Sequence, residues 1–86
     1  MEKIETEANL LKALAHPTRL RIIKHLINNG CNVTNIVEFL GVPQATISQH
    51  LTILKANGII KGKRNGSVIC YDVVSQQVRD IVSALK

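Results

Sequence analysis

Apolar residues recur every three or four positions along five stretches of the chain, which is the spacing of one helix face. These stretches predict helices over about residues 2–15, 17–28, 44–56 and 76–85, and a short one ending near residue 40. Residues 59–73 change to a period of two around Asn65-Gly66, a pair typical of a β-hairpin turn. The pattern therefore predicts a mainly α domain with one small hairpin before the last helix.

The hairpin has an expected register. Its strands would cover residues 59–64 and 67–73, joined by Asn65-Gly66 in a type I′ turn, which needs positive φ at both positions. Such a turn places Arg64 opposite Ser67 and leaves a basic, exposed tip. The residues then expected on the core face are Ile60, Ile69, Tyr71 and Val73.

The fourth helix has two different faces. An apolar stripe of Ile47, Leu51 and Leu54 would face the core. Its other face is small, polar and almost free of acidic residues, whereas a merely solvated helix face usually carries pairs of Glu and Lys. The short third helix and a tight turn at Gly41 precede it, which is the helix-turn-helix order.

The length and charge of the chain narrow the possible partners. Its 86 residues make one small domain, residues 1–86, whose core would be marginal without a second copy. The formal net charge of +5 favours a polyanion such as nucleic acid. This charge is concentrated in residues 16–27 and 61–67, which contain no acidic residue. A solvated basic surface is the alternative explanation.

Other classes of protein lack support in the sequence. The two cysteines form no Cys-x-x-Cys motif, so a zinc finger is not indicated. No run approaches the about 20 apolar residues of a membrane span, and the N-terminus does not resemble a signal peptide, so we expect a cytoplasmic protein without a membrane partner. No nucleophile–base pair, carboxylate dyad or phosphate loop indicates an enzyme, and no cofactor is expected.

A helix-turn-helix followed by a basic hairpin predicts a winged helix that binds duplex DNA. The major groove admits one helix, and Gln44, Ser48 and Gln49 can hydrogen-bond to base edges there. The wing would place Lys63 and Arg64 beside phosphates, where they contribute affinity rather than sequence preference. The other residues assigned to this surface are Thr34, Ala45, Thr46 and Lys55. A winged helix whose main partner is a protein is the alternative.

Three segments resemble the ArsR/SmtB family of bacterial winged-helix repressors: LLKALAHPTRLRII (10–23), GVPQATISQHLTILKANGII (41–60) and KRNGSVICYDV (63–73). The resemblance implies a homodimer with two recognition helices in successive major grooves of an imperfectly symmetric operator. It also implies release from the operator when an inducer binds. The DNA contacts that it implies by position are Gln44, Ala45, Ser48, Gln49, Lys63, Arg64 and Asn65. Pro43 departs from the family, which usually has a capping serine there.

The first and last helices carry apolar seams that a small core would leave partly uncovered. In the resembling family these two helices form the dimer interface. The residues assigned to the interface are Ile4, Ala8, Leu11, Val78, Ile81, Val82 and Leu85. For the first helix, packing against the rest of its own domain is the alternative.

The sequence does not indicate the inducer. Metal-sensing relatives use a Cys-x-Cys at the start of the third helix, where this chain has Asn32 and Thr34, or histidines on the last helix, which here has none. No metal site is therefore predicted. His16 is expected to pack or to cap the second helix, and His50 to be partly buried and hydrogen-bonded.

Cys31 and Cys70 are the remaining candidates for sensing. In a winged helix the short segment before the third helix commonly pairs with the second wing strand, which would bring these thiols close enough to respond to an oxidant or a persulfide. Strand parity argues against their contact, since Cys70 alternates with the core residues Ile69 and Tyr71. Two incidental cysteines are the alternative.

Overall fold

The structure, a computed structural model, describes residues 3–29 and 33–85, except for the side chains of residues 33–35 and 68. Its elements are α1 (Lys3–Leu14), α2 (Pro17–Asn29), α3 (Val33–Leu40), α4 (Gln44–Ala56), β1 (Ile60–Asn65), β2 (Val68–Val73) and α5 (Gln76–Ala84). Strands β1 and β2 form a two-stranded antiparallel sheet. The predicted winged helix-turn-helix fold is confirmed. No helix in the described ranges is long and apolar enough to cross a lipid bilayer.

The ends of α2 and α4 are set by local hydrogen bonds. Nδ1 of His16 accepts a hydrogen bond from the N–H of Thr18 at 3.1 Å, which caps α2 and confirms the capping role expected for His16. Gly58, with a φ of 71°, follows α4, and the N–H of Ile59 donates to the carbonyl of Leu54 at 3.0 Å. This is the Schellman arrangement, in which a glycine ends the helix while its last carbonyls stay bonded.

The hairpin register differs by two residues from the sequence prediction. Asn65 pairs with Val68, so Gly66 and Ser67 form the turn, and the expected pairing of Arg64 with Ser67 is wrong. The backbone explains the difference. Gly66 has a φ of 68°, and among the described residues only glycines have positive φ, so Asn65 cannot occupy a type I′ turn. A glycine in the first of two central positions is typical of a type II′ turn.

The shift of two residues leaves the predicted core face unchanged, because side chains alternate along a strand with a period of two. Ile60 and Val73 lie opposite each other and are both buried. The half-buried Tyr71 lies opposite Gly62. A Cβ at position 62 would lie only 2.9 Å from Cε1 of Tyr71, so the glycine lets the tyrosine ring cross the hairpin.

The core lies where α4, α2, α5 and the hairpin meet. Ile47, Leu51 and Leu54 are buried, which confirms the predicted apolar stripe of α4. Val78 and Val82 of α5 are 0% and 8% exposed and belong to the same core. Their assignment to a dimer interface is wrong, because α5 packs this side against β2 and the rest of its own chain.

Two arginines hold helices to the ends of neighbouring elements. Nε of Arg19 donates to the carbonyl of Ala13 at 2.7 Å, near the end of α1. Nε of Arg79 donates to the carbonyl of Val73 at 2.8 Å, at the end of β2. Arg19 is therefore partly engaged within the fold, and the basic cluster of residues 16–27 is less available to a partner than its charge suggested.

Candidate nucleic-acid interface

The outer face of α4 presents short polar side chains to solvent. The exposed residues in its first two turns are Gln44, Ala45, Ser48 and Gln49. Ile47, which lies among them in the sequence, is fully buried, and Thr46 is half-buried. The residues assigned to base contact thus lie together on one side of a helix whose other side is anchored in the core.

The start of α4 leaves backbone donors free. Pro43 is the N-cap residue, and no side-chain hydrogen bond caps the helix there. The first N–H groups of α4 therefore lack a capping acceptor and carry the positive end of the helix dipole. This end is suited to a phosphate of the DNA backbone.

The far end of α4 differs from its start. The hydroxyl of Thr52 donates to the carbonyl of Ser48 at 2.9 Å, so this side chain is already engaged. Lys55 is exposed. It lies about 16 Å along the helix axis from Gln44, at 1.5 Å per residue. A helix that enters the groove by its N-terminus would keep Lys55 near the backbone rather than near the same bases.

The wing tip is basic and exposed. Lys63, Arg64 and Asn65 are all exposed along the end of β1. The outer face of the hairpin also carries an acidic residue, because Asp72 lies opposite Lys61. This pairing was not anticipated from the sequence, and it confines the excess positive charge of the wing to its tip.

His16 and His50 connect α2 to the recognition helix α4. Their ring centroids are 4.6 Å apart, and the rings are inclined by 53°. The half-buried His50 buries Nδ1, which finds no hydrogen-bond partner among the described residues, so the expectation of a hydrogen-bonded His50 is wrong. Burial lowers the pKa of His50 below its usual value, and the neighbouring His16 and Arg19 lower it further.

The lowered pKa of His50 predicts a loss of stability in acid. As the pH falls below about 6.5, the unfolded chain binds a proton at His50 before the folded chain does, so the free energy of unfolding decreases. Well above that pH His50 is neutral in both the folded and the unfolded chain, so it causes no loss in the free energy of unfolding. Urea unfolding at pH 7.5 and 5.5 should show a lower midpoint in acid, and the decrease should be smaller in His50→Gln. An equal decrease in both proteins would contradict this role.

The structure describes one of the two candidate sensing cysteines. Cys70 is half-buried on β2 opposite Lys63, and it is disulfide-bonded. Cys31 lies outside the described residues, as does Asn32, and Thr34 lies in the first turn of α3 with its side chain outside the description. Within the described part of the chain, no group of three His, Cys, Asp or Glu residues is placed to hold a metal ion.

The outer side of α1 is apolar and uncovered. Ile4 and Leu11 are 68% and 51% exposed, and Ala8 is also exposed. Next to them a groove of about 320 Å³ lies between α1 and α5, lined by Glu7, Leu10, Leu11, Gln77 and Ile81; we call it the α1–α5 groove. Leu85, at the end of α5, is 47% exposed. Five of the seven residues assigned to a dimer interface thus retain accessible surface.

The chain is similar in sequence to known helix-turn-helix regulators. Residues 14–63 match the model of a helix-turn-helix domain family. The chain is 45% identical over 83 residues to a helix-turn-helix-type transcriptional regulator of Methanocaldococcus jannaschii, covering 95% of this chain and 93% of that protein. It is 39% identical over 83 residues to the transcriptional repressor PagR of Bacillus anthracis, covering 95% of this chain and 83% of PagR.

Solved structures share the fold along nearly the whole chain. The crystal structure of PagR superposes with a TM-score of 0.86 at 38% identity, covering 96% of this chain and 95% of that one. HlyU from Vibrio cholerae superposes with a TM-score of 0.90 at 30% identity, covering 99% and 94%. With its recognition helix, wing and outer helices arranged as in these proteins, the chain belongs to the ArsR/SmtB family of winged-helix transcriptional repressors.

Proposed function

We propose that this chain is a homodimeric repressor that binds an imperfect inverted repeat in operator DNA and is released by an inducer. The proposal rests on the two faces of α4, one buried in the core and the other polar and exposed. Ile47 is fully buried, while Gln44, Ser48 and Gln49 are exposed beside it. The name of PagR as a transcriptional repressor supports the direction of regulation. Such a protein acts in the cytoplasm, on the operator near its target genes.

The expected complex follows from the dimensions of DNA. The N-terminal half of α4 enters the major groove, where Gln44 and Gln49 hydrogen-bond to base edges. The wing tip then lies over the flanking backbone, and Lys63 and Arg64 contact phosphates. Two such units in a symmetric dimer contact half-sites about one helical turn apart. The direct test is whether the purified chain prefers its own promoter region to random duplex at physiological salt.

Neutralising the wing should weaken binding to every DNA sequence alike. The variant Lys63→Gln/Arg64→Gln removes two phosphate contacts per protomer, so affinity should fall for operator and random duplex by a similar factor. The slope of log affinity against log salt concentration should become shallower by about 2 per protomer. Fluorescence anisotropy between 50 and 300 mM salt measures both quantities.

The same variant separates the two candidate functions of the winged helix. A module whose main partner is a protein has no reason to depend on these two charges for DNA affinity. An unchanged salt slope in Lys63→Gln/Arg64→Gln would therefore contradict a phosphate-binding wing. Lys12→Gln on α1 is a matched control, since Lys12 is exposed and lies outside the proposed DNA surface.

Thiol oxidation is a second proposal, for the signal that controls binding. The observation that favours it is the disulfide at Cys70, which lies opposite the wing residue Lys63. The chain contains one other cysteine, Cys31, which we propose as the partner. Hydrogen peroxide would take two electrons and two protons from the thiol pair, giving the disulfide and two molecules of water. Reduction would remove this covalent restraint on the wing strand, which stays paired with β1.

Reduction of the wild-type protein should change its operator affinity several-fold, with the oxidised form binding more tightly because its wing strand is held. Cys70→Ser and Cys31→Ser should each bind equally well with dithiothreitol and with hydrogen peroxide. Anisotropy with labelled operator under both conditions measures the effect. Equal affinities for oxidised and reduced wild-type protein would exclude thiol control and would leave the repressor function untouched.

A further inference from the structure

A second groove lies on the other side of α5. It encloses about 300 Å³ between the end of α2 and α5, and we call it the α2–α5 groove. Among the residues that the structure describes, two cationic residues line it, Lys24 from α2 and Arg79 from α5, and none of the lining residues is acidic. Two positive charges that face one cavity without a counter-ion repel each other, and a bound anion would relieve that repulsion.

Arg79 is held in a position suited to binding. Its Nε donates to the carbonyl of Val73 at 2.8 Å, which fixes the half-buried guanidinium at the wall of the groove. Its terminal amino groups make no hydrogen bond to the described residues and stay available. Asp80, its neighbour, instead accepts a hydrogen bond from Gln76 at 2.9 Å and does not line the groove. A fixed guanidinium with free amino groups is suited to a carboxylate.

The rest of the groove wall is partly apolar and partly polar. Ile27, Val82 and Leu85 contribute the apolar part, and Asn28 and Ser83 contribute polar side chains. An inorganic anion would leave the accessible surface of Ile27 and Leu85 uncovered, whereas an organic acid would cover it with its hydrocarbon part. The accessible apolar surface of Ile27 and Leu85 therefore favours an anion with an apolar chain.

The α2–α5 groove shares Leu85 with the residues assigned to the dimer interface, but it lies on a different side of α5 from the α1–α5 groove. Successive residues of a helix turn by 100°, so Arg79 projects about 200° away from Gln77, which lines the α1–α5 groove. A molecule bound beside Arg79 would therefore leave the α1–α5 groove open to a second copy. It would also contact the residue that holds the end of wing strand β2.

We propose that the α2–α5 groove binds a small organic acid, with its carboxylate on Lys24 and Arg79 and its apolar chain on Ile27, Val82 and Leu85. In the repressor this acid acts as an effector, because it engages the arginine that joins α5 to the wing. The effector role rests on the proposed function, whereas the binding site does not.

The binding site is tested on the free protein with hexanoate as the probe. Titration followed by amide chemical shifts should move the signals of Ile27, Val82 and Ser83. Hexanoate should bind at least tenfold more tightly than the uncharged 1-hexanol and more tightly than inorganic phosphate. Lys24→Gln should weaken hexanoate binding at least fivefold. Arg21→Gln, an exposed change on the same helix outside the groove, should leave it unchanged.

Three outcomes would overturn the site: equal binding of hexanoate and 1-hexanol, equal binding of phosphate, or shifts confined to the α1–α5 groove. The effector role is tested separately by adding hexanoate to the complex with operator DNA. Operator affinity should change in the wild type and not in Lys24→Gln. If hexanoate binds the free protein and leaves operator affinity unchanged, the effector role is wrong. Failure of the chain to bind its operator at all would instead contradict the proposed function.

Discussion

Replacing Gln44 and Gln49 together with alanine should weaken operator binding by at least about 30-fold, because each bidentate contact of an amide to a base contributes about 1–3 kcal/mol. Both side chains are exposed near the start of α4. Affinity for random duplex should stay nearly constant, since the helix N-terminus and the wing keep their phosphate contacts. Anisotropy titrations at one salt concentration measure the affinity for operator and for random duplex. The ratio of these two affinities should fall in the double variant.

The matched control is Gln76→Ala on α5, which removes only an exposed hydrogen bond to Asp80. It should change neither affinity. If the double variant loses operator and random duplex affinity equally, Gln44 and Gln49 do not contact bases, and sequence preference must come from DNA shape or from other side chains. If neither affinity changes, α4 is not the helix in the groove.

The helices and the exposed polar face of α4 were predictable because their signals are local. Ile47, Leu51 and Leu54 lie on one face at helical spacing whatever the rest of the chain does, so the opposite face had to be exposed. Gly58 likewise ended α4 through its own positive φ. Burial and helix ends that depend only on neighbours in the sequence could therefore be predicted without a structure.

Other features depended on contacts that the sequence does not contain. His16 and His50 are far apart in the chain, and only the packing of α2 on α4 brings their rings together. The hairpin turn was misplaced because both Asn65 and Gly66 suit a turn, and the choice depends on backbone angles. The side of α5 that carries Val78 and Val82 was assigned to a partner, but its own domain supplies enough apolar surface to bury it.

Introducing Glu at Ile4 and Leu11 should convert the proposed dimer into monomers and should weaken operator binding by at least 100-fold. Both residues are more than half exposed, so the double variant should fold with an unchanged circular dichroism spectrum. In a symmetric dimer the two charges of one protomer would face the same two of the other, without a counter-ion. Light scattering after size exclusion measures the mass, and anisotropy measures the affinity.

Phe39→Glu is the matched control for this change, because Phe39 is 70% exposed on α3, outside the α1–α5 groove. The single variant should remain a dimer and keep its mass in light scattering. A monomer that binds the operator as tightly as the wild type would contradict the requirement for two half-sites. If the Ile4→Glu/Leu11→Glu protein stays dimeric, the apolar side of α1 is not the interface, and the exposed Phe39 becomes the next position to test.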